Sequence, residues 1–196
     1  MISDAALNAG TRFPFGATWR SNGTIARESM SQRGEFRVSV SRDDLVFSSA
    51  HFITYAGHRC EGLHGHNYRA RVAVDGELEP ADKLVFDFLE LKRIMRRLCG
   101  EIDHLVLLPL ESARIRVVED GEVVRVAVDD KPRYVFPRRD CALLPVPNTT
   151  VEMLAELLAT RLHGELSALG AHGLTLIEME IEENFGQSAT FRMRLR

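Results

Sequence analysis

Residues 60–72 read CEGLHGHNYRARV, and they carry the strongest strand pattern in the chain. From His64 to Val74 every second residue is apolar, aromatic or histidine, which is the alternation of a strand with one face on a core. Side chains at i and i+2 point to the same side of a strand, so the imidazoles of His64 and His66 can converge on one ion. The stretch therefore predicts a strand that carries two metal-ligating histidines.

A third histidine follows the preceding strand pattern. Residues 35–48 alternate, and Asp43-Asp44 interrupts them as a bulge or a turn, before His51. If the two strands form a hairpin, His51 approaches the other two histidines. Three histidines with one open position make a catalytic zinc site, whereas two edge-strand histidines and a core histidine are the other interpretation.

Two segments have the periodicity of helices. Apolar residues recur at spacings of three and four over residues 87–99, with Asp87 as a candidate N-cap. The same periodicity predicts a helix over residues 149–169, where Thr149 and Glu152 form a candidate capping box. Helices of this kind cover one face of a sheet with their apolar stripes.

Alternating segments surround the second helix. Residues 113–137 predict a hairpin around Asp120-Gly121, and residues 174–183 and 188–195 predict two closing strands. Runs of hairpins with interleaved helices favour an α+β domain, in which helices cover one face of an antiparallel sheet.

Composition narrows the class of protein. The chain has 196 residues, 45% hydrophobic and 27% charged, with no apolar run of membrane-spanning length, which excludes a disordered chain, a collagen and a transmembrane helix. The N-terminus lacks the pattern of a signal peptide, and a net charge of −3 argues against a nucleic-acid binder. Three widely spaced cysteines without a CxxC predict free thiols in a reducing cytoplasm.

Other residues near the histidines carry reactive groups. Cys60 stands four positions before His64, where a thiolate near a cation can act as a base or nucleophile; the alternative is a small buried apolar residue. His58 is a fourth ligand or a solvated loop residue. Asp103-His104 can form a carboxylate–imidazole pair in a turn and pass protons, or can be a surface pair at a helix end.

Glu183 breaks the alternation of the last acidic segment. Glu178, Glu180 and Glu182 share one face of the predicted strand, and Glu183 points with the apolar residues toward the core. A carboxylate on an apolar face needs a partner, and it suits the adjacent N–H groups of a flat, guanidine-like heterocycle. The alternative is a residue at the end of the strand that reaches water.

Taken together, these residues resemble the 6-pyruvoyl-tetrahydropterin synthase and 6-carboxytetrahydropterin synthase family. The resemblance covers residues 36–109 and 143–196. Its motifs stand in the family's order: FSSAHF from Phe47, CEGLHGHNYRARV from Cys60, VFDFLELK from Val85, DHLVLL from Asp103, NTTVEMLAELLA from Asn148 and IEENFGQSATFR from Ile181.

The resemblance implies a tunnelling fold. In that fold a four-stranded antiparallel sheet with two helices on one face associates with copies of itself into a barrel, and active sites lie between subunits of the homo-oligomer. The implied substrate is 7,8-dihydroneopterin triphosphate. The implied site residues are zinc-binding His51, His64 and His66, the proton-abstracting Cys60, its proton-transfer partners Asp103 and His104, and the pterin anchor Glu183.

The spacing of Cys60 from the His-Gly-His motif resembles the branch that makes 6-carboxytetrahydropterin for queuosine and other 7-deazapurines. Glu61 resembles folate-pathway variants that release 6-hydroxymethyl-dihydropterin, and it is the alternative base; otherwise it is an exposed loop residue. A 6-pyruvoyl-tetrahydropterin synthase and a non-catalytic zinc or pterin binder on the same fold are the remaining alternatives.

Two segments depart from the family pattern. Residues 1–34 form an N-terminal arm before the synthase-like domain over residues 35–196. Residues 113–142 are an insertion where typical members have a short loop. The insertion can cover the pocket, alter the assembly, select a different substrate or decorate the outside of the barrel.

Overall fold

The computed structural model describes residues 35–195, without the side chains of residues 42–44. The predicted arm over residues 1–34 lies outside the described residues. In the described part the elements follow in this order: β1 Phe36–His51, β2 Thr54–Tyr55, β3 Arg59–Cys60, β4 His64–Gly76, α1 Phe88–Gly100, β5 Val106–Pro109, β6 Ile115–Asp120, β7 Val123–Val128, β8 Lys131–Pro137, a 3₁₀ turn Arg138–Asp140, β9 Cys141–Leu144, α2 Val151–Ala168, β10 Leu174–Asn184 and β11 Gln187–Arg194.

Six strands form the main sheet in the order β11-β10-β4-β1-β5-β9. The first four pair antiparallel, as the alternation predicts, and the α+β fold class is confirmed. β5 and β9 extend the sheet through parallel pairing. The sheet is therefore mixed, and it has six strands instead of the predicted four. Each of these two strands is a short, mainly apolar run without alternation, so periodicity does not mark it as a strand.

A bulge divides β1 where the sequence pattern is interrupted. Ser41 pairs with Arg71 of β4, but the next pair joins Val46 to Arg69. β1 therefore uses three residues more than β4 over this interval, and Asp43-Asp44 lies among them. An odd number of extra residues reverses which side chains of a strand face the core.

Because of this reversal, the odd-numbered side chains at the end of β1 face the core. Before the bulge the even-numbered Val38 and Val40 are buried; the odd-numbered Leu45 at the end of the bulge and Phe47 after it are buried. His51 continues the odd series and is also buried. Without the extra residues, His51 would point to the opposite face of the sheet.

Both helices cover one face of the sheet. Their buried residues join the inward side chains of β1, β4 and β10 in a single core; these are Leu91, Ile94, Met95, Leu98 and Cys99 from α1 and Leu154, Ala155, Leu157, Leu158, Ala159, Leu162 and Leu166 from α2. Within residues 35–195, neither helix combines the length and apolar character that a membrane crossing requires.

The helix caps confirm one prediction and correct another. The Asp87 carboxylate accepts a hydrogen bond from the Leu89 N–H at 2.7 Å and caps α1 as predicted. The predicted Thr149–Glu152 capping box is wrong, because the N-cap of α2 is Thr150. The Thr149 hydroxyl instead donates to the Phe52 carbonyl at 3.2 Å, which ties the start of α2 to the end of β1.

Within the segment predicted as an insertion, β6, β7 and β8 form a three-stranded antiparallel sheet rather than the predicted hairpin; we call it the inserted sheet. Its first turn follows Asp120-Gly121 as predicted. A second tight turn, at Asp129-Asp130, has both residues at positive φ, 49° and 62°. This geometry is usually marked by glycine, and its absence here hides the second turn from the sequence pattern. The inserted sheet packs on a second apolar cluster that includes Phe52.

Candidate metal centre and active site

Three histidines converge at the end of the β1–β4 hairpin. His51 pairs directly with His64 across the two strands, and His66 lies two residues further along β4. One ligand nitrogen from each ring lies within 4.8 Å of the other two. The bulge in β1 and the alternation of β4 therefore produce a set of ligands that can hold a metal ion.

The hydrogen bonds of His51 suit a metal ligand. Its Nδ1 donates to the Thr149 carbonyl at 2.7 Å, and its Nε2 is buried without a hydrogen-bond partner. A carbonyl on one ring nitrogen fixes the tautomer and directs the lone pair of the other nitrogen to a cation. His64 Nδ1 likewise donates to the Gly62 carbonyl at 2.9 Å. These contacts fit a divalent ion held by nitrogen ligands, such as zinc.

Burial also keeps the His51 ring neutral, which is the form that binds a metal. The pKa of His51 is lowered to about 4, first by burial and then by the neighbouring His64 and His66, while the hydrogen bond to Thr149 opposes the shift. Water stabilises a charged imidazole, and a buried ring is shielded from water, so the neutral form is favoured.

The metal-free protein is therefore expected to lose stability as the pH falls from about 6.5 to about 4. In this window the unfolded chain binds a proton at His51 that the folded chain does not bind, so the unfolding free energy is full above the window and decreases within it. One group contributes at most about 1.4 kcal/mol per pH unit. Denaturant titrations of the metal-free chain measure the slope. In the His51→Leu variant, the contribution of His51 to this pH dependence should be absent. Equal slopes in both proteins would contradict the lowered pKa of His51.

Two carboxylates and a phenol border the histidines. The Glu183 carboxylate lies 4.0 Å from His66 Nε2, and the Glu61 carboxylate lies 3.8 Å from His64 Nε2. Glu183 thus lies on the core side of β10, whereas the three preceding glutamates of the segment pair with arginines on the other face: Glu178, Glu180 and Glu182.

Tyr68 is a site residue that the sequence analysis missed. Its hydroxyl is buried without a hydrogen-bond partner, and its ring lies edge-on to His51 and His66, with centroids 6.0 Å and 5.5 Å apart. Burial raises its pKa, and the charge of Glu183 raises it further. The available signal was its place in the alternation, two residues after His66 on the same face.

Asp103 and His104 form a pair in the turn between α1 and β5. His104 Nδ1 lies 2.8 Å from the Asp103 carboxylate, whose other oxygen accepts the Ser48 N–H at 2.7 Å. These bonds, the one from Ser48 first, lower the pKa of Asp103. His104 has a positive φ of 58°, and its side chain is 80% exposed. The imidazole thus projects from the surface, beside a cavity lined by Ser48 and Asn67.

Cys60 lies in a different cavity from His104. This insertion cavity, of about 340 Å³, lies between the β3 segment and the inserted sheet and is lined by His58, Cys60, Arg114, Asp129, Lys131 and Arg133. Cys60 and His58 are not members of the three-histidine cluster. One chain therefore assembles the metal ligands with Glu61 and Glu183, but it does not bring Cys60 and the Asp103–His104 pair into one cavity.

The antiparallel strands, the two helices on one face and the three-histidine cluster define an α+β protein with a set of ligands that could hold a metal ion. The family model described as 6-pyruvoyl tetrahydropterin synthase matches residues 40–194. The chain therefore belongs to the 6-pyruvoyl tetrahydropterin synthase family, and the resemblance seen in its motifs is confirmed.

Individual relatives agree with this assignment. A Methanocaldococcus jannaschii protein, provisionally named 6-carboxy-5,6,7,8-tetrahydropterin synthase, is 35% identical over 77% of this chain and 91% of its own. The Haemophilus influenzae 6-carboxy-5,6,7,8-tetrahydropterin synthase is 32% identical over 48% of this chain and 77% of its own. A structure of Plasmodium vivax 6-pyruvoyltetrahydropterin synthase aligns with a TM-score of 0.76 and 28% identity, over 83% of this chain and all of that one. The chain is thus similar to enzymes of both branches of the family.

Proposed function

We propose that this tetrahydropterin synthase is a zinc-dependent lyase that converts 7,8-dihydroneopterin triphosphate to 6-carboxy-5,6,7,8-tetrahydropterin, the product used for queuosine and other 7-deazapurines. The observation that carries the proposal is the buried His51 Nε2, unpartnered and grouped with two further imidazoles. Three nitrogen ligands would hold a zinc ion and leave it open to a substrate, which is the arrangement of a catalytic site.

Each residue near the cluster then has a chemical task. The three histidines would hold the zinc ion, which would supply Lewis acidity to the hydroxyl groups of the substrate side chain. The Glu183 carboxylate accepts hydrogen bonds from the adjacent N–H groups of the pterin ring. Cys60, as a thiolate, removes a proton from the substrate side chain.

We further propose that the active site lies between copies of the chain in a homo-oligomer. Cys60 and His104 border separate cavities of one chain, so a second copy is needed to bring an Asp103–His104 pair to Cys60. The strong exposure of the His104 side chain is consistent with a role across such an interface.

We also propose a cytoplasmic location. All three cysteines are free thiols in the structure, as is usual in a reducing compartment.

Glu61 favours a second candidate function, the release of 6-hydroxymethyl-dihydropterin. Its carboxylate is 3.8 Å from His64 Nε2, so a substrate bound at the metal would have an acidic group beside it as well as the thiol. One Plasmodium vivax 6-pyruvoyltetrahydropterin synthase structure is described as a catalytic-residue mutant with a glutamate replaced by alanine. That description is a precedent within the family for a glutamate base.

Product analysis tests the proposal. The zinc-loaded chain is incubated with 7,8-dihydroneopterin triphosphate, and products are identified by mass spectrometry. We expect 6-carboxy-tetrahydropterin with acetaldehyde and triphosphate. A 6-hydroxymethyl product would replace the proposal with the Glu61 candidate, and a 6-pyruvoyl product would assign the other branch of the family. If the chain binds zinc but turns over no dihydropterin, the proposal of a lyase is overturned and a non-catalytic binding protein remains.

A further inference from the structure

The insertion holds the segment between Cys60 and the histidines. Two side chains of the inserted sheet bond to backbone atoms of this segment, and Arg114, which directly precedes β6, bonds to the residue before Cys60. The Tyr134 hydroxyl accepts the Leu63 N–H at 3.1 Å, Arg133 donates to the Glu61 carbonyl at 2.9 Å, and Arg114 donates to the Arg59 carbonyl at 3.0 Å. The insertion is therefore built into the wall of the site.

The insertion cavity has an excess of positive charge. Arg114 and Asp129 neutralise one another through two hydrogen bonds, 2.8 Å and 2.6 Å long. Within residues 35–195, no carboxylate lies within 4.0 Å of Lys131 or Arg133; Asp129, which pairs with Arg114, is close enough for Lys131 to help lower the pKa of its carboxyl group. These two cations and the exposed His58 ring line the cavity beside the Cys60 thiol.

Arg133 is held in position to bind an anion. It lies on β8 with its guanidinium 5.4 Å from the centroid of the Tyr134 ring. The Glu61 carbonyl accepts from one of its five N–H donors, and the Tyr134 side chain also bonds to the guanidinium, which leaves further donors for an anion. A guanidinium with free, fixed donors matches the geometry of phosphate oxygens, and Lys131 adds a mobile point charge.

We propose that the insertion cavity binds the phosphate chain of the substrate, with Arg133 and Lys131 as its phosphate-binding residues. This inference rests on the proposed function. It assumes that the substrate carries a phosphate chain and that the rest of its side chain lies at the metal. Cys60 borders the cavity, and three residues separate it from His64 of the cluster. A substrate side chain that runs from the cluster past Cys60 therefore enters this cavity with its phosphates.

Binding of inorganic tripolyphosphate tests the cavity without requiring turnover. Calorimetric titration of the full-length chain is compared with Lys131→Ala, Arg133→Ala and the double variant. We expect affinity to fall about tenfold or more for Arg133→Ala and further for the double variant. Because tripolyphosphate chelates divalent cations, the titration is repeated in the His51→Ala background, where the same order should hold. Equal affinity in the wild-type chain and the double variant would overturn the proposal.

Two further variants separate phosphate binding from support of the loop. Arg125→Ala removes one exposed positive charge from the same inserted sheet, outside the cavity, and should bind like the wild-type chain. Arg133→Lys keeps the charge without the guanidinium fork, so it should recover part of the affinity. If Arg133→Lys binds as weakly as Arg133→Ala, or if Arg125→Ala loses as much affinity, phosphate binding by Arg133 is rejected.

Steady-state kinetics distinguish this proposal from the proposed function. With the pterin triphosphate, the double variant should raise KM about tenfold or more and change kcat less. Normal turnover with an unchanged KM would reject the cavity and leave the lyase assignment intact. The chain could also bind tripolyphosphate with the expected order of affinities and yet turn over no pterin. That result would support phosphate binding in the cavity and reject the lyase assignment.

Discussion

The His51→Ala variant is expected to lose bound zinc and pterin turnover together. His51 is the buried member of the cluster, and it supplies a ring nitrogen whose partner nitrogen is already bonded to Thr149. Changes to residues that only orient ligands reduce metal affinity about 10–100-fold, so loss of a ligand should cost more. Metal content of the purified variant by plasma mass spectrometry, with a turnover assay on the same sample, measures both effects.

The matched control is His163→Ala. His163 is an exposed histidine of α2, outside the three-histidine cluster, so its loss should leave metal content and turnover at wild-type values. A His51→Ala protein that folds and keeps one zinc ion per chain would contradict the proposed metal centre. A folded variant that loses zinc and keeps full turnover would separate the metal from the chemistry.

The Cys60→Ala variant is expected to keep its zinc and to lose about 10²–10⁴-fold in turnover. Cys60 is partly buried beside the insertion cavity and is not one of the clustered ligands, so the metal should remain. The expected size of the loss is that of removing one acid–base group. Metal content and kcat of the same preparation test the two halves of the prediction.

Cys141→Ala and Glu61→Gln complete this comparison. Cys141 is a buried thiol, and burial raises its pKa, so its removal should leave turnover close to that of the wild-type chain. Glu61→Gln keeps the shape of the side chain and removes its charge. If Cys60→Ala retains turnover and Glu61→Gln loses it, the base is Glu61 and the product assignment changes with it.

The two helices and the four antiparallel strands could be predicted because each has a regular apolar period. β5, β9 and the third inserted strand could not, since short apolar runs lack a period and the Asp129-Asp130 turn lacks glycine. The cap of α2 was misplaced by one residue because Thr149 and Thr150 are chemically alike. The hydrogen bonds of the two hydroxyls distinguish their positions, since Thr149 donates to Phe52 and Thr150 accepts the Met153 N–H.

The histidine pair of β4 depends on local geometry alone, because a two-residue repeat places His64 and His66 on one side of any strand. The sequence determined this pair, the phase of Glu183 and the family. Whether His51 joins the pair was decided by the tertiary structure, since it depends on the number of extra residues in the β1 bulge. The position of Arg133 beside Cys60 was decided in the same way. Contacts between distant segments depend on strand register and packing, which no short sequence motif specifies.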